Sequence, residues 1–572
     1  MRVAVVPVPG GAGLLCLLGE DGSPVGPRTA VTDLPSAVAE RERSGDVRWV
    51  WPSAALVYPG LLRAGVRVAR CHDAELSEAL LLGRDGRPGE VASLSAAAAR
   101  LAGRPPPAVT SRPPDRDAPG PAQLLFDEPE LAGPPAQSPD DTLSDLIAVH
   151  ASQLTRLGAD PATPRLATLA AAESAGGLAG AEMTAAGLPW RADVHDELLT
   201  QLLGPRPPAM AGLPPRPARL SELVTEISAA LGAIRPVNID SPAQLLRALA
   251  NAGIRVPSTR VSVLRAVDHP AIPLLLKYKE LARLHTANGW SWIDSWVSGG
   301  RFRPEYIVGG VVSGRWATRG GGALQIPKVL RRAVIADPGW TLVVADAAQL
   351  EPRVLGALAG DRAFAQAAAS GDVYAAVATA IGAERDKAKV ALLSAMYGGT
   401  GGDGGKSLAL LRRRFPQASA FVEAAARAGE EGRVVRSVLG RTCPPPSAAW
   451  LSVTSESLDP EQERDPGAGQ AARARGRFTR NFVVQASAAD WAAVLLAALR
   501  TRLAGVGDGR QRPELVFFQH DEVIVHCPAG LAPDVVAAVQ EAAATATALV
   551  FGATPVSFPL SVEVVDCYGD AK

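Results

Sequence analysis

Two short apolar runs, each ending in an acid, constrain the fold of this chain more than any other feature. In TLVVADAAQLEPRVLGALAG, Leu342 to Ala345 reads as a buried strand that ends at Asp346 and leads into a helix with Pro352 in its first turn, where proline is tolerated. In ELVFFQHDEVIVHC, Leu515 to Phe518 and Val523 to Val525 read as strands flanking a tight polar turn, with Asp521 and Glu522 at its tip. Singly each is ordinary, because an Asp at a strand end is most often a cap and acids in a turn are most often solvated. Together they point to a fold that brings positions 175 residues apart (521 − 346) to neighbouring strand ends. Two hard carboxylates so placed would hold divalent cations about 3.5–4 Å apart, one activating a hydroxyl nucleophile and the other stabilising the leaving oxygen. That is phosphoryl-transfer chemistry.

Between the two acids lies ERDKAKVALLSAMYGG. Arg385, Lys389, Leu393 and Tyr397 recur every four residues, so on a helix they form one slowly drifting stripe that closes at Gly398 and Gly399. Such a stripe can grip a triphosphate with its cations and a base with its far end. An ordinary amphipathic helix with charged ends is the alternative.

At 572 residues the chain exceeds one hydrophobic core, and about three or four domains or subdomains are expected. Hydrophobic residues at 47% and charged residues at 20% describe a globular chain. A formal net charge of +0 argues at first against nucleic-acid binding. The distribution qualifies this: Arg473, Arg475, Arg477 and Arg480 lie in a stretch without acids between Asp465 and Asp490, and Arg412, Arg413 and Arg414 form a second cluster. Each also reads as a solvated helix face. Cys16, Cys71, Cys443, Cys527 and Cys567 show no paired spacing, which predicts neither disulfides nor a zinc site and fits a reducing cytosol.

The apolar start, VAVVPVPGGAGLLCLL, is broken by Pro7, Pro9 and glycines, and predicts two short strands and a turn, not a secretion signal. No window approaches the about 20 consecutive apolar residues of a membrane span. A small α/β domain is predicted over the first hundred residues, with helices over Leu76 to Leu82 and Val91 to Leu101. Residues 103–140, rich in Pro and Gly, read as a linker or surface loop. Helices follow over Arg165 to Ala186, Arg219 to Leu231, Pro242 to Ala252 and Pro270 to Val297, with no internal repeat.

Over roughly residues 165 to 572 these segments, in order, resemble the family A DNA polymerases. DAAQLEPR is similar to the family's first motif (Asp-Tyr-Ser-Gln-Ile-Glu-Leu-Arg), RDKAKVALLSAMYG to its second and QHDEV to its third. Further similarity lies in SGRWAT with LQIP, RRAVIADPGW, LGRTCP and RNFVVQASAAD. The resemblance implies an α/β and α+β multidomain chain: a 3′-to-5′ exonuclease-like (RNase H-like) α/β domain over 1–160, then a right-hand polymerase over 166–572. Its thumb would span about 166–300, its palm about 301–355 and 480–572, and its fingers about 356–479.

It implies Asp346 and Asp521 as ligands of two Mg²⁺ ions, with Mn²⁺ as a substitute, and Glu522 as a supporting acid. Arg385 and Lys389 would bind the dNTP, Lys389 also acting in catalysis. Tyr397 and Glu351 would pair and exclude a ribose 2′-OH, with Gln349 in support. His520 would touch the primer terminus, Arg315, Asn481 and Gln485 the minor groove, and Arg477 the template. Primer–template DNA and dNTPs are the implied partners, without a membrane, in a cytoplasmic, nucleoid-associated setting, for repair or replication.

The sequence departs from the pattern in places. Leu393 replaces the aromatic residue that stacks on the incoming base, Ala347 replaces a Tyr, and Tyr374 stands where many relatives have a phosphate-binding His. The exonuclease's carboxylates are also missing. Pro7, Val8 and Pro9 follow the first strand, Asp73 is the sole candidate in the second region, and VHASQL offers Ser152 and Gln153 in place of an acid. Proofreading is therefore expected to be absent, and no 5′ nuclease domain is expected. Two other readings stay open: a DNA-binding protein whose polymerase site has lapsed, and a metal-dependent nuclease using the same carboxylates.

Overall fold

The apolar start pairs with itself. Strands β1 (Arg2–Val8) and β2 (Ala12–Leu18) are antiparallel across the 3-10 turn Pro9–Gly11. The computed structural model describes residues 1–107, 137–208, 216–398, 404–455, 466–507 and 511–571; most of the Pro- and Gly-rich stretch (108–136) and Gly399 lie outside them. β3 (Thr29–Val31) adds to β2, and after α1 (Leu34–Ser44) the chain enters β4 (Arg48–Trp51), parallel to β1. Helix α2 (Ala54–Arg63) then crosses to β5 (Arg70–Asp73), giving a five-stranded sheet of order β3-β2-β1-β4-β5. Alternation along β1 sends Val3 and Val5 to one core with Trp49, Trp51 and Tyr58, and Ala4 and Val6 to another with Leu143 and Leu146. The second core is closed by α3 (Ala74–Arg84), α4 (Leu94–Leu101) and α5 (Pro139–Ala159).

Pro7, Val8, Asp73 and Gln153, at positions where nuclease acids would be needed, each take part in the fold. Pro7 and Val8 complete β1. Asp73 is 1% exposed and caps α3, accepting from the Leu76 and Ala54 N–H groups at 3.0 and 2.7 Å; burial pushes its carboxyl up to about 7. Buried Gln153 donates to Ala74 O at 2.9 Å and to Glu78 Oε2 at 3.1 Å, and its Oε1 lies 2.8 Å from His72 Nε2.

Contacts divide the molecule into two units. The larger holds Met1–Ala186, Glu305–Arg319 and Gly339–Val564; the smaller holds Gly187–Pro304, Gly320–Pro338 and Val565–Lys572. Helix α6 (Leu166–Ala186), grouped above with the thumb, lies in the larger unit. There Glu182 accepts from Tyr58 Oη at 2.6 Å and from Arg500 at 2.8 and 3.0 Å. Burial alone would raise the Glu182 carboxyl; the charge and hydrogen bonds of Arg500, together with Arg67 and Tyr58, outweigh it and hold it below the ordinary range.

In the smaller unit the helices Ala218–Ala230 and Pro242–Asn251 match the predicted ones within a residue or so, while helix Ala192–Leu203 was not among those predicted. The continuous helix expected over Pro270 to Val297 is instead two, Ala271–Asn288 and Trp290–Trp296. They break at Gly289, where a Cβ would lie 2.2 Å from His285 O. The break turns Trp292 into an aromatic cluster with Trp190, His195 and Phe302.

The rest of the larger unit is built on four strands: β6 (Trp340–Ala347), β7 (Glu514–Gln519), β8 (Glu522–Pro528) and β9 (Leu560–Val565), in the order β7-β8-β6-β9. Around them pack α7 (Leu350–Leu358), α8 (Val373–Ile381), α9 (Arg385–Tyr397), α10 (Pro416–Glu430), α11 (Pro466–Leu503) and α12 (Ala532–Phe551). By mean hydropathy α11 and the segment containing α12 carry stretches apolar enough to cross a membrane, although neither is an unbroken apolar run. In α11 that stretch is 83% buried, as in a core helix that packs on several sides.

Candidate active site

β6 and β8 pair antiparallel in a register that sets Asp346 opposite Glu522. The hairpin tip carries Asp521 one residue earlier, and the Ala347 N–H donates to Asp521 O at 3.0 Å. The two acids singled out in the sequence therefore meet at one sheet end. Their proximity is felt electrostatically: the Asp521 carboxyl is pushed up to about 7, first by burial and then by the negative charge of Asp346. A buried carboxylate whose proton affinity is raised by a neighbouring carboxylate belongs to a donor set suited to divalent cations. Among the described residues no group of three or more His, Cys, Asp or Glu is arranged around one point. Two carboxylates still suffice for Mg²⁺ where phosphate oxygens and water complete the shell.

Both strand ends are sharply bent. Among the described residues, the non-glycine residues with positive φ are Gln349 and His520, each at 58°. His520 is the centre of a γ-turn in which the Asp521 N–H donates to Gln519 O at 2.7 Å. Such backbone costs about 1–3 kcal/mol and persists where its surroundings fix it. At Gln349 the fixing groups are visible: Oε1 accepts from the Val373 N–H at 2.7 Å, and Nε2 donates to Asp372 Oδ1 at 3.0 Å.

Asp372 was missed in the sequence, although SGDVY before an apolar run is an N-cap signature. It caps α8 by accepting from the Ala375 N–H at 3.1 Å and accepts from Arg385 Nε at 2.8 Å. Burial would raise its carboxyl, but the hydrogen bonds from Arg385, Ala375 and Gln349 hold it down at about 2. Tyr374 lies beneath the cationic stripe, its ring 5.7 Å from both the Arg385 guanidinium and Lys389 Nζ.

Glu351 unites two further candidates. One carboxylate oxygen accepts from Arg315 and the other from the Tyr397 hydroxyl. Arg315, Gln349, Glu351, Tyr374, Leu393, His520 and Asp521 line one cavity of about 300 Å³, closed on a further side by Ala488 and Ala489 of α11. Arg477, Asn481 and Gln485 follow one another at four-residue spacing along α11 toward those alanines. Arg477 packs on Gly398, the left-handed residue that ends α9, where a Cβ would lie 2.7 Å from Arg477 Cγ. The basic cluster divides by role: Arg480 donates to Ala395 O at 3.2 Å and Arg475 to Pro444 O at 3.0 Å, while Arg473 and Arg477 are exposed.

Arg353, the last residue of the first motif, is 1% exposed and bonded entirely to carbonyls. It donates to Ala348, Ala368, Ser370, Gly371 and Ser557 oxygens over 2.6–3.0 Å. It thereby ties the end of β6 to the turn that presents Asp372. Nothing in its spacing distinguishes it from a surface arginine.

Comparison with known proteins gives the family of the chain. The family model described as DNA polymerase family A matches residues 216–567. The thermostable DNA polymerase I of Thermus thermophilus is 25% identical over 374 residues, covering 58% of this chain and 41% of that protein. That of Thermus filiformis is 27% identical over 376 residues, and DNA polymerase I of Deinococcus radiodurans 25% over 334. The chain thus spans about two-fifths of the length of the curated relatives first matched. Among solved structures, the POL domain of Pol1 from M. smegmatis, in complex with DNA primer-template and dNTP, superposes with a TM-score of 0.71 at 18% identity, covering 100% of this chain and 95% of that one. The fold is therefore the mixed α/β fold of such a domain, and with 352 of 572 residues (567 − 216 + 1) matched by the family model, the chain belongs to DNA polymerase family A.

Proposed function

We propose that this chain is a template-directed DNA polymerase that joins deoxynucleotides from dNTPs to a primer 3′-OH. The observation that carries the reading is the meeting of Asp346 and Asp521 at one sheet end, in a chain whose cationic helix borders the same cavity. When bound there, divalent ions supply activation of the primer hydroxyl and charge neutralisation at the leaving diphosphate. Asp346 and Asp521 hold them, with Glu522 beside. Lys389 and Arg385 bind the triphosphate, Arg385 exchanging its Asp372 partner for phosphate. The Glu351–Tyr397 pair walls the sugar pocket, and Gln349 fixes its floor. His520 faces the primer terminus. Arg315, Asn481 and Gln485 take the minor groove, whose acceptors occur in every base pair, so they test pairing without reading sequence. Arg477 holds the template. The lapsed-site and nuclease readings are less economical, because the carboxylates are in place and a triphosphate-binding stripe has no use in hydrolysis.

We assign palm to the β6–β9 sheet and its surroundings, fingers to about 356–479, and thumb to the smaller unit's helices. Residues 1–160 are a retained exonuclease-like scaffold without proofreading, working beside cellular DNA in the cytoplasm. The capping role of Asp73 and the amide of Gln153 support that. The decisive assay is extension of a labelled primer on defined templates, with Mg²⁺ and each dNTP, beside an incubation lacking nucleotides. Extension without shortening of the primer is expected; metal-dependent 3′-to-5′ degradation that vanishes when residues 1–160 are removed would return nuclease function to that domain.

Leu393 lines the cavity where an aromatic ring would stack on the incoming base. Base–aromatic stacking is worth about 1–3 kcal/mol. Leu393→Phe is therefore expected to lower the apparent KM for dNTPs by roughly five- to a hundredfold. Steady-state titration checks this, and an unchanged or higher KM counts against the pocket assignment.

A further inference from the structure

Arg441 lies outside the cavity, and none of the roles above uses it. It is 9% exposed, donates to Glu173 Oε1 at 2.5 Å and lies 3.6 Å from Asp490 Oδ1. The other oxygen of Asp490 accepts from the Leu439 N–H at 3.0 Å. A buried guanidinium between two carboxylates is fixed in place, since moving it would strand charges in the interior. Its face is pressed against Gly314, whose φ is +84° and where a Cβ would lie 2.2 Å from Arg441 Nε. Gly314 belongs to a tight turn: its N–H donates to Val311 O at 2.7 Å, and the Val311 N–H donates to Arg315 O at 3.0 Å. Arg315, the next residue, leaves this turn to pair with Glu351 in the cavity.

We propose that Arg441 is a positioning residue for Arg315: clamped by Glu173 and Asp490, it is the platform on which the Gly314 turn rests, and so sets where the Arg315 guanidinium meets the primer–template end. The inference rests on the polymerase reading and on the minor-groove role given to Arg315. Gly314→Ala tests it without removing a buried charge, because the added methyl meets the Arg441 guanidinium and also strains the left-handed backbone, so the turn must move off the platform. Glu173→Gln, which loosens the clamp with no added bulk, is the second variant should Gly314→Ala fold poorly.

The measurement is single-turnover extension by the full chain from a matched and from a mismatched primer terminus. Gly314→Ala and Arg315→Ala are each expected to slow matched extension roughly tenfold or more, the size of a lost charged hydrogen bond, and mismatched extension less, so the ratio of the two falls. Combining them is expected to cost no more than Arg315→Ala alone. Glu173→Gln should lower the ratio in the same direction, by less. A merely destabilised protein would lose both rates in proportion. An unchanged ratio in Gly314→Ala, or in Glu173→Gln where Gly314→Ala does not fold, overturns the inference, as do losses that multiply in the double variant. If the unaltered chain extends no primer at all, the polymerase reading falls and takes this inference with it.

Discussion

Asp521→Asn is expected to abolish primer extension while making the metal-free protein more stable. The amide removes one of two anionic ligands, and charge stabilisation by bound cations is worth several kcal/mol, so a loss of about a thousandfold or more is expected. The stability change has the opposite sign. Burial, and then the Asp346 charge, push the Asp521 carboxyl up to about 7. The folded metal-free chain therefore holds a proton that the unfolded chain, with an ordinary carboxyl near 4, releases. Stability contributed at this site is present below pH about 4 and declines as pH rises through about 7. Asparagine carries no such penalty, so at pH 8 in EDTA the variant should gain about 1–3 kcal/mol, and near pH 4 almost nothing. Denaturant unfolding at the two pH values, beside extension with Mg²⁺, measures both. Extension retained by Asp521→Asn would remove the central pillar of the functional reading.

The second large effect is expected from a residue that touches no substrate. Arg353→Lys keeps the charge but replaces five planar N–H donors with three on a flexible stem. Of the five carbonyls that Arg353 serves, at least two would be left without a donor in the interior. At about 1–3 kcal/mol for each, roughly 2–5 kcal/mol of stability should be lost. The loss should not be uniform, because the turn through Ser370 and Gly371 carries Asp372, which holds Gln349 and Arg385. Protease susceptibility and hydrogen exchange should rise around residues 348–373 before the N-terminal sheet is affected. Equal protection in the variant and the unaltered chain would show that the fork geometry is dispensable.

Where local chemistry suffices, the sequence was readable. Short apolar runs and turn residues gave the first hairpin, the strand ending at Asp346 and the two strands flanking Asp521, the last three extending only one to three residues beyond their predicted limits. Helix periodicity gave α6 and α9, and the four-residue stripe from Arg385 to Tyr397 survives as one face bordering the cavity. The predicted pairing of Tyr397 with Glu351 is formed. The strands and helices depend on residues near one another in the chain, whereas the Tyr397–Glu351 pair, 46 positions apart, was implied by the family resemblance.

Other features depend on distance in space. Gly289 broke an otherwise periodic helix because a cluster of three aromatic residues and a histidine, drawn from separate segments, pulls Trp292 inward. Asp73, the sole candidate acid in the second region of the exonuclease-like domain, has a cap's bonding, which its two backbone N–H partners give it.

The sequence by itself determined the strands leading to Asp346 and to the turn of Asp521, and helices such as α6 and α9, since hydrophobic period, turn residues and charge spacing act over a few residues. The tertiary structure alone decided that Asp346 and Asp521 share one sheet end, that Arg353 and Arg441 are buried, and that Asp372 links Gln349 to Arg385. Those outcomes come from antiparallel register and from the need of buried charges and carbonyls for partners, and those partners lie up to 268 residues away in the chain.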